Sequence, residues 1–462
     1  MRERHLYAEP YKIKMVEAIE LKSKEHREKA IREAGYNLFN LKSEDVYIDV
    51  LTDSGTNAMS DRQWAKMFLG DESYAGAKSY WNFKAAIADI TGYKYAVPAH
   101  QGRAAENILM GMFVSKGQTV LGNMHFDTTE GHIRLHEAAP VNLLREEGYE
   151  IAKEGPFKGN IDLGRLETEL EAAKAEGTVP LVIMTVTCNG NGGQPVSMEN
   201  IRAASAITHR YGLPFIFDAA RFAENCYFIK TREEGYEGKT IIDIAREMFS
   251  YGDGAVMSCK KDALVNMGGF LAFKDNETYY NEASQRQIRY EGFKTYGGLA
   301  GRDLEAIAQG LYEVLDVGYL EDRIGQVKYL GDRLRELGIP MQLPFGGHGI
   351  FIEAKEFLPH LEQRKFPAQA LAVQLYLEGG VRGVELGTCA FGHTDPVTGE
   401  EYFPKLEFVR LALPRRVYTD RHMDVIVAAM KRIQDRKDEI RGMKLLYAPE
   451  VMRHFSARFD IL

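Results

Sequence analysis

Two adjacent lysines are the residues in this chain best suited to covalent chemistry. Lys260 and Lys261 follow the small polar residue Ser258 in the run MSCKKDALVNMGG. Farther upstream, in the run PFIFDAAR, an apolar predicted strand ends at Asp218, and Arg221 follows three residues later. A lysine amine that is desolvated, or that lies near another cation, becomes reactive and condenses with carbonyl compounds. The lysine pair could equally be an ordinary solvated pair, so the neighbouring motifs have to separate the two interpretations.

An aspartate at a strand end and a lysine a few dozen residues later suit pyridoxal phosphate (PLP) chemistry. This cofactor needs a lysine that binds its aldehyde and an acid that pairs with its pyridine nitrogen. The sequence predicts Asp218 and one of the two adjacent lysines, Lys260 or Lys261, for these roles. Rival nucleotide motifs are missing, because no G-x-G-x-x-G follows a predicted strand and the segment 238–240 lacks the leading glycine of a P-loop.

A phosphate-binding loop is predicted where the apolar run YKYAVP passes into the helical pattern AAENILMGMF. Gln101, Gly102 and Arg103 lie at this junction. Free backbone N–H groups and the positive end of the helix dipole make such a loop an anion site. We expect these residues to bind the cofactor phosphate, with Ser258 as a further donor. An ordinary strand–turn–helix junction remains the alternative for this segment alone.

Four more residues lie at predicted strand ends or on a strand. Phe126 could stack on a flat ring, and the next residue, Asp127, could accept a hydrogen bond from the substrate. Asn189 opens a Gly-rich turn and could bond the cofactor's phenolic oxygen, although it could also be a plain loop asparagine. Arg410, in FVRLALPRR, could bind a carboxylate, although the run could equally be a solvated basic patch.

Composition excludes several classes of protein. Of the 462 residues, 45% are hydrophobic and 27% charged, which is typical of a globular protein. The net charge of -8 argues against a nucleic-acid partner. The four cysteines are scattered, which fits a reducing compartment, and no apolar run approaches the ~20 residues of a membrane span. These features predict a cytoplasmic protein with a small-molecule substrate and no membrane partner.

The spacing of apolar runs predicts three regions. Residues 1–60 are an N-terminal arm and part of a small domain, with a helix from Val16 to Ala34. Residues 61–310 alternate short buried strands with helices, which indicates an α/β domain with a largely parallel sheet. Residues 311–462 form a smaller α+β domain that begins with a long helix, Gly318–Leu337. The stretch from Cys389 to Pro404 is predicted to be a surface loop.

With these motifs in place, the chain resembles the bacterial β-eliminating lyases of the fold-type-I PLP family, shared by tryptophanases and tyrosine phenol-lyases. The resemblance spans nearly the whole chain and rests on specific motifs, including LTDSGTNAMSDRQWA, GDESYAG, HQGRAAEN, GGQPVS, ARFAENCYFIK, MSCKKD, YGGLAGRD and FPAQALA. It implies a large α/β domain with a mixed, mostly parallel sheet of the aspartate aminotransferase type, a smaller α+β domain, and a homotetramer with active sites at dimer interfaces.

The resemblance also implies roles for individual residues. The cofactor-binding set is Lys261, Gln101, Gly102, Arg103, Phe126, Asn189, Asp218, Arg221 and Ser258. The catalytic set is Lys261, Tyr74, Asp127 and His454. The substrate-binding set is Thr52, Arg410, Phe39 and Leu386. A potassium site is implied at Gly55, Glu72 and Asn266. In this scheme Lys261 removes the α-proton and Tyr74 protonates the leaving group.

The two branches of the family differ at a few side chains. The phenol-lyases carry Thr and Arg where this chain has Asp127 and Leu386, and Phe and Met where it has His454 and Phe293. An apolar Leu386 cannot bind a phenolate, whereas Asp127 can accept an indole N–H. The resemblance therefore implies PLP-dependent cleavage of L-tryptophan to indole, pyruvate and ammonia. The alternatives are cleavage of L-tyrosine, a PLP aminotransferase and, outside catalysis, a PLP-fold binding or scaffold protein.

Overall fold

The computed structural model describes residues 8–394 and 398–462 of the chain. The first residues of the predicted N-terminal arm and the middle of the stretch predicted as a loop lie outside these ranges. The described chain divides into two compact units. Unit 1 comprises Met1–Asp53, Tyr149–Gly155 and Asp322–Leu462, and unit 2 comprises Ser54–Gly148 and Pro156–Glu321. Among the described residues, no helix is both long and apolar enough to cross a bilayer.

The α-helices follow one another along the chain in this order: α1 Lys24–Glu33, α2 Asp61–Met67, α3 Lys78–Thr91, α4 Gly102–Phe113, α5 Asp127–Leu135, α6 Leu163–Ala173, α7 Met198–Arg210, α8 Phe222–Arg232, α9 Ile241–Ser250, α10 Glu277–Tyr290, α11 Gly301–Glu313, α12 Val317–Glu336, α13 Ala354–Phe357, α14 Pro367–Gly379, α15 Thr388–Phe391 and α16 Asp420–Gln434.

The strands of residues 8–394 and 398–462 are short and are distributed over five sheets. In chain order they are β1 Ile48–Asp49, β2 Tyr95–Ala99, β3 Thr119–Gly122, β4 Ala139–Asn142, β5 Val182–Thr185, β6 Phe215–Asp218, β7 Gly254–Ser258, β8 Gly269–Phe273, β9 Gly349–Glu353, β10 Val381–Arg382, β11 Val384–Leu386, β12 His393–Thr394, β13 Glu401–Tyr402, β14 Phe408–Ala412, β15 Met443–Tyr447 and β16 Arg458–Ile461.

Unit 2 is built around a seven-stranded sheet with the order β2-β8-β7-β6-β5-β3-β4. All neighbouring pairs are parallel except those of β8, which runs antiparallel to both β2 and β7. The strands β5 and β7 are buried along their whole length, as expected when helices cover both faces of a parallel sheet. A core cluster that includes Ile108, Leu109 and Ile183 packs α4 against this sheet.

Unit 1 contains a three-stranded antiparallel sheet in the order β11-β14-β9. Its core joins residues of α14 and α16 to this sheet, including Leu371, Met430 and Leu411. The strand β1 pairs in parallel with β10, so the segment before residue 53 and the C-terminal region share one core.

Two predictions about local structure were wrong. The predicted helix from Val16 begins later, at Lys24, because Ser23 caps it by accepting a hydrogen bond from the His26 backbone N–H at 3.2 Å. The stretch predicted as a surface loop from Cys389 begins inside a helical turn, α15, and Cys389 is buried. Farther along that stretch, β12 and β13 form an antiparallel pair.

Candidate active site

The candidate site of unit 2 lies at the carboxyl ends of its parallel strands. Gln101 follows β2, Phe126 follows β3, Asn189 follows β5, and Asp218 and Ser258 end β6 and β7. Because parallel strands present their carboxyl ends at one edge, residues far apart in sequence meet there, and open α/β sheets bind ligands at that edge. The register of β6 against β7 and of β7 against β8 fixes the relative positions of Asp218 and Ser258.

The predicted phosphate loop packs directly against Ser258. Gln101 is the N-terminal cap of α4, and Gly102 is the first residue of that helix. A Cβ atom on Gly102 would meet the Ser258 Cβ at 2.6 Å and its Cα at 3.0 Å, so only glycine permits this approach. The first amides of α4 and the Ser258 side chain therefore surround one position at a helix N-terminus. Arg103 is exposed at the same turn.

Asp218 lies in an environment that disfavours its charge. Burial, followed by the negative charge of Glu106, raises the pKa of Asp218 to about 6, and the positive charges of Lys261 and Arg221 oppose this shift. The Ala220 backbone N–H donates to Asp218 Oδ1 at 3.3 Å. A carboxyl group held this way is stabilised in its ionised form when a cation, such as a protonated pyridine nitrogen, lies beside it.

Glu106 is a residue that the sequence analysis missed. It lies one turn into α4, is 7% exposed, and accepts a hydrogen bond from Thr129 Oγ1 at 2.7 Å, whereas its Oε2 is buried without a hydrogen-bond partner. Burial raises the pKa of Glu106, and Asp127 adds to this effect. The available signal was a glutamate between Ala105 and Ile108 on the apolar face of a predicted helix.

Asn189 and Arg221 are buried on neighbouring loops. Asn189 starts a 3-10 turn after β5, and Arg221 is the N-terminal cap of α8. Thr187 joins these loops because its Oγ1 donates to the Arg221 carbonyl oxygen at 2.8 Å, while its own N–H donates to the side chain of Asn225 at 3.2 Å. Thr187 has a positive φ of 55°, which the two hydrogen bonds stabilise.

Phe126 and Asp127 start α5. Phe126 is the N-terminal cap and is half-buried, as an aromatic ring that stacks on a ligand must be. Asp127 is 7% exposed, and its Oδ1 accepts a hydrogen bond from the Thr128 backbone N–H at 2.6 Å. A carboxylate in the first turn of a helix is stabilised by the helix dipole, so Asp127 is suited to act as an acceptor.

The turn after β7 presents both lysines. Lys261 is partly buried, and its carbonyl accepts from the Leu264 N–H at 2.9 Å. The carbonyl of Lys260 accepts from the Gly55 N–H at 2.9 Å, and burial together with Arg103 lowers the pKa of the Lys260 amine. Gly55 has a φ of 77°, and a Cβ there would lie 2.5 Å from the Lys260 Cε, so glycine is required at this position.

Tyr74 is exposed and lies among aromatic rings of its own unit. Its ring stacks on Phe293 at 5.7 Å and meets Tyr296 edge-on at 5.3 Å. Hydrogen bonding with the Tyr296 hydroxyl raises the pKa of Tyr74. The phenol is therefore protonated at neutral pH, which is the form needed for a proton donor.

Two predicted cation-site residues contact each other in unit 2. Asn266 Nδ2 donates to the carbonyl oxygens of Gly55 and Asn57, each at 3.0 Å. Glu72, the third predicted ligand, is exposed and pairs with Arg302 at 3.3 Å.

The remaining predicted residues belong to unit 1. Arg410 is buried in the middle of β14, and its Nη2 donates to the Leu51 carbonyl at 2.9 Å, next to Thr52. Phe39 lies 5.7 Å from the His454 ring, edge to face, and Asn37 Nδ2 donates to the His454 carbonyl at 3.0 Å. Thr52 thus adjoins Arg410, and Phe39 adjoins His454. Leu386 ends β11 opposite Phe408 and is 3% exposed.

The residues of unit 2 fit pyridoxal phosphate. Gly102 lets the first turn of α4 approach Ser258 closely, and the free amides at this helix N-terminus suit a phosphate. Asp218 offers a carboxyl group for a ring nitrogen, Phe126 offers a half-buried aromatic face, and Lys261 lies in the turn after β7. These groups match what this cofactor requires of a protein.

Comparison with known proteins agrees with this fit. The profile of the family described as "Beta-eliminating lyase" matches residues 49–429. A tyrosine phenol-lyase of Symbiobacterium sp. (strain SC-1) is 50% identical over 454 residues, covering 98% of each chain. A tryptophanase of Salinibacter ruber is also 50% identical, over 450 residues that cover 97% of this chain and 94% of the relative.

Solved structures agree on the fold. An aromatic aminotransferase from Pyrococcus horikoshii superposes with a TM-score of 0.61 at 16% identity, covering 85% of this chain and 97% of the other. The prediction of an α/β fold of PLP fold type I, with a mixed and mostly parallel central sheet, is confirmed.

Replacing Gly102 with alanine tests the phosphate loop. The new Cβ would lie 2.6 Å from Ser258 Cβ and would push the first amides of α4 out of place. We expect Gly102→Ala to weaken PLP binding at least about tenfold, or about 1.4 kcal/mol, measured by absorbance titration of the apoenzyme. Gly238→Ala is the matched control, because its Cβ would meet nothing within 4 Å. Equal affinities in the two variants would contradict this assignment.

The Glu106→Gln variant tests the environment of Asp218. Removing a negative charge lowers the pKa of Asp218, so the carboxylate persists to lower pH. Cofactor affinity falls where Asp218 becomes protonated, and this fall should move to lower pH in the variant by more than about half a unit. PLP titrations across a pH series measure the shift. Glu305→Gln, another buried glutamate of unit 2, should leave the profile unchanged; a shift of equal size there would remove Glu106 from this role.

Proposed function

We propose that this chain, which belongs to the β-eliminating lyase family, cleaves L-tryptophan to indole, pyruvate and ammonia. Leu386 is the observation that carries the choice of substrate. It is apolar and almost completely buried on β11, at the position where the tyrosine-cleaving branch carries arginine. A phenolate facing leucine would have a buried charge without a partner, whereas the indole ring carries no charge.

PLP, when bound, supplies an electron sink for the negative charge that develops at the substrate α carbon. Lys261 Nζ accepts the α-proton. The carboxylate of Asp218 would accept the hydrogen bond of the ring nitrogen and favour its protonated form, while Asn189 and Arg221 would bind the phenolic oxygen. Gln101, Gly102, Arg103 and Ser258 would hold the phosphate.

A second set of residues binds the substrate and promotes its cleavage. Arg410 and Thr52 bind the substrate carboxylate, and Asp127 accepts the indole N–H. Tyr74 donates its hydroxyl proton to indole C3, which converts the ring into a neutral leaving group. Phe39 and His454 contact the aromatic ring of the substrate, and we expect His454 to assist that proton transfer.

Cleavage of L-tyrosine is the alternative. It is supported by the relatives, since a tyrosine phenol-lyase and a tryptophanase are each 50% identical to this chain over nearly its whole length. Overall identity therefore does not separate the substrates. The choice depends on Leu386 and Asp127, with His454 and Phe293 as further differences. An aminotransferase is less well supported, because the family match covers residues 49–429.

We also propose a homotetramer with a bound potassium ion. Oxygen atoms of Gly55, Asn266 and Glu72 form the cation site, and one carboxylate among carbonyl oxygens suits a large monovalent ion. Contact between Gly55 and Asn266 supports the site, whereas Glu72 has to leave Arg302 to complete it.

Steady-state kinetics with the two amino acids test the substrate. We expect kcat/KM for tryptophan to exceed that for tyrosine by at least about two orders of magnitude, or about 2.7 kcal/mol of differential transition-state binding. Indole and phenol release are measured directly. Comparable turnover of the two amino acids would move the assignment to the tyrosine-cleaving branch.

Asp127→Ala tests the recognition of indole. The variant should lower activity on tryptophan selectively and spare elimination from S-alkyl cysteines, whose leaving groups need no ring protonation. Competition between the two substrates in one assay gives the ratio of kcat/KM values without reference to the active fraction. An equal loss on both substrates would remove Asp127 from indole recognition.

Activity in potassium and sodium salts tests the cation site. At equal ionic strength we expect higher activity in potassium, because the site offers several weak oxygen ligands and a single carboxylate. The Glu72→Gln variant should lose most of this preference. Equal wild-type activity in both salts would count against the site.

A further inference from the structure

Three glutamates are buried together around the small sheet of unit 1. Glu353 ends β9, Glu385 lies in the middle of β11, and Glu407 immediately precedes β14. Their exposed fractions are 2%, 2% and 0%. The Glu407 backbone N–H donates to the carboxyl group of Glu353 at 3.1 Å, so the chain links two of these residues directly. No role in the proposed reaction uses any of the three.

Two of these carboxyl groups hold the amides of one turn. Glu385 Oε1 accepts from the Gly387 and Cys389 N–H groups, each at 2.8 Å, and its Oε2 accepts from Ala390 at 3.1 Å. Glu407 Oε2 accepts from the Thr388 N–H at 2.8 Å. These four amides open α15, and the first N–H groups of a helix have no acceptor within the helix. Every amide from residue 387 to residue 390 therefore depends on Glu385 or Glu407.

Side-chain donors and a glycine fix Glu407 in this position. Thr388 Oγ1 donates to Glu407 Oε2 at 2.6 Å, and Gln363 Nε2 donates to the same oxygen at 3.1 Å. A Cβ on Gly387 would lie 2.5 Å from the Glu407 carboxyl carbon. The carboxyl group thus packs on the backbone of the residue that directly follows Leu386.

Burying the carboxyl groups of Glu385 and Glu407 close together is electrostatically unfavourable. Burial raises the pKa values of both Glu385 and Glu407, and the charge of Glu407 adds to the shift of Glu385. A neutral Ser, Thr or Asn side chain could cap a single turn without burying carboxyl groups. Buried ionisable groups often contribute little to the stability of a protein. In some proteins such groups instead hold one specific backbone geometry, and this lowers stability. The feature fixed here is the backbone on the C-terminal side of Leu386.

We propose that Glu385 and Glu407 are positioning residues for leaving-group selectivity: by holding the amides of residues 387–390, they fix Leu386 in the position that selects the aromatic leaving group. This inference rests on the proposed function of Leu386. It adds that selectivity depends on two carboxyl groups that do not contact the substrate. Loosening the turn should lower kcat/KM for substrates whose leaving group is an aromatic ring. It should leave kcat/KM unchanged for substrates with a small leaving group.

Glu407 variants of the full-length holoenzyme test the proposal. Glu407→Gln keeps an oxygen acceptor for Thr388, whereas Glu407→Leu leaves the buried Thr388 amide without one. We expect Glu407→Leu to lower the ratio of kcat/KM for tryptophan to that for S-methylcysteine at least about tenfold. The glutamine variant should stay within about threefold of wild type. Competition between the two substrates makes the ratio independent of the folded fraction.

Glu305→Leu is the matched control. Glu305 is a buried glutamate of unit 2 whose carboxyl group accepts from Asn82 Nδ2 at 2.6 Å and bonds neither Glu407 nor the amides of residues 387–390. Its ratio should remain at the wild-type value. If Glu407→Leu does not fold, the Thr388→Val variant tests the proposal instead. It removes the hydroxyl that donates to Glu407 Oε2 at 2.6 Å while keeping the side-chain volume nearly constant, and it should lower the same ratio.

Each outcome has a definite meaning. An equal loss on both substrates in Glu407→Leu, an unchanged ratio in Thr388→Val, or a fall of equal size in Glu305→Leu would overturn the positioning role. The ratio is measured with whichever aromatic amino acid the wild type prefers. A wild type that prefers tyrosine therefore refutes the proposed substrate, whereas the response of the variants still decides whether the two glutamates position residue 386.

Discussion

The candidate cofactor site depends on how closely two glycines allow separate strand ends to approach. Gly269 lies opposite Ala99 of β2 on one side of β8 and opposite Ser258 of β7 on the other. A Cβ on Gly269 would lie 2.5 Å from the Gln101 carbonyl carbon. The preceding residue, Gly268, donates its N–H to His100 and accepts from Cys259. One antiparallel strand in a mostly parallel sheet thus brings the phosphate loop and the lysine turn together, and any side chain there would separate them.

Buried carboxyl groups occur in pairs in both units, and the physical consequence differs between the pairs. Beside Asp218, the charge of Glu106 raises the pKa of a group that is predicted to meet a cation, so the repulsion between the acids is relieved when the ligand binds. Glu385 and Glu407 bond backbone amides instead of a ligand. Their effect is to fix a conformation, because a displaced carboxyl group would leave buried N–H groups unsatisfied.

Local sequence rules predicted the central sheet and the residues at its carboxyl edge. Strand runs such as FIFD were recognisable because they are continuous and apolar, and Gln101 and Gly102 were recognisable as a turn before a helix. The sequence did not reveal Glu106, because a single glutamate within a helix resembles any solvated one until the burial of that face is known. Likewise, Cys389 was assigned to a surface loop because its buried turn is capped by Glu407, which is distant in sequence.

Substrate choice within this family cannot be read from overall similarity, and the structure gives a physical reason. A tyrosine phenol-lyase and a tryptophanase are each 50% identical to this chain, so overall identity does not distinguish the two activities. In the proposed function, a few side chains select the leaving group, and their effect depends on where the backbone holds them. Leu386 is the last residue of β11 and precedes a turn whose amides are bonded by two buried acids. A substitution at position 386 alone would place a new side chain in a site that is still fixed for leucine. Exchange of the two activities should therefore require changes in the residues that hold the 387–390 turn as well as at position 386.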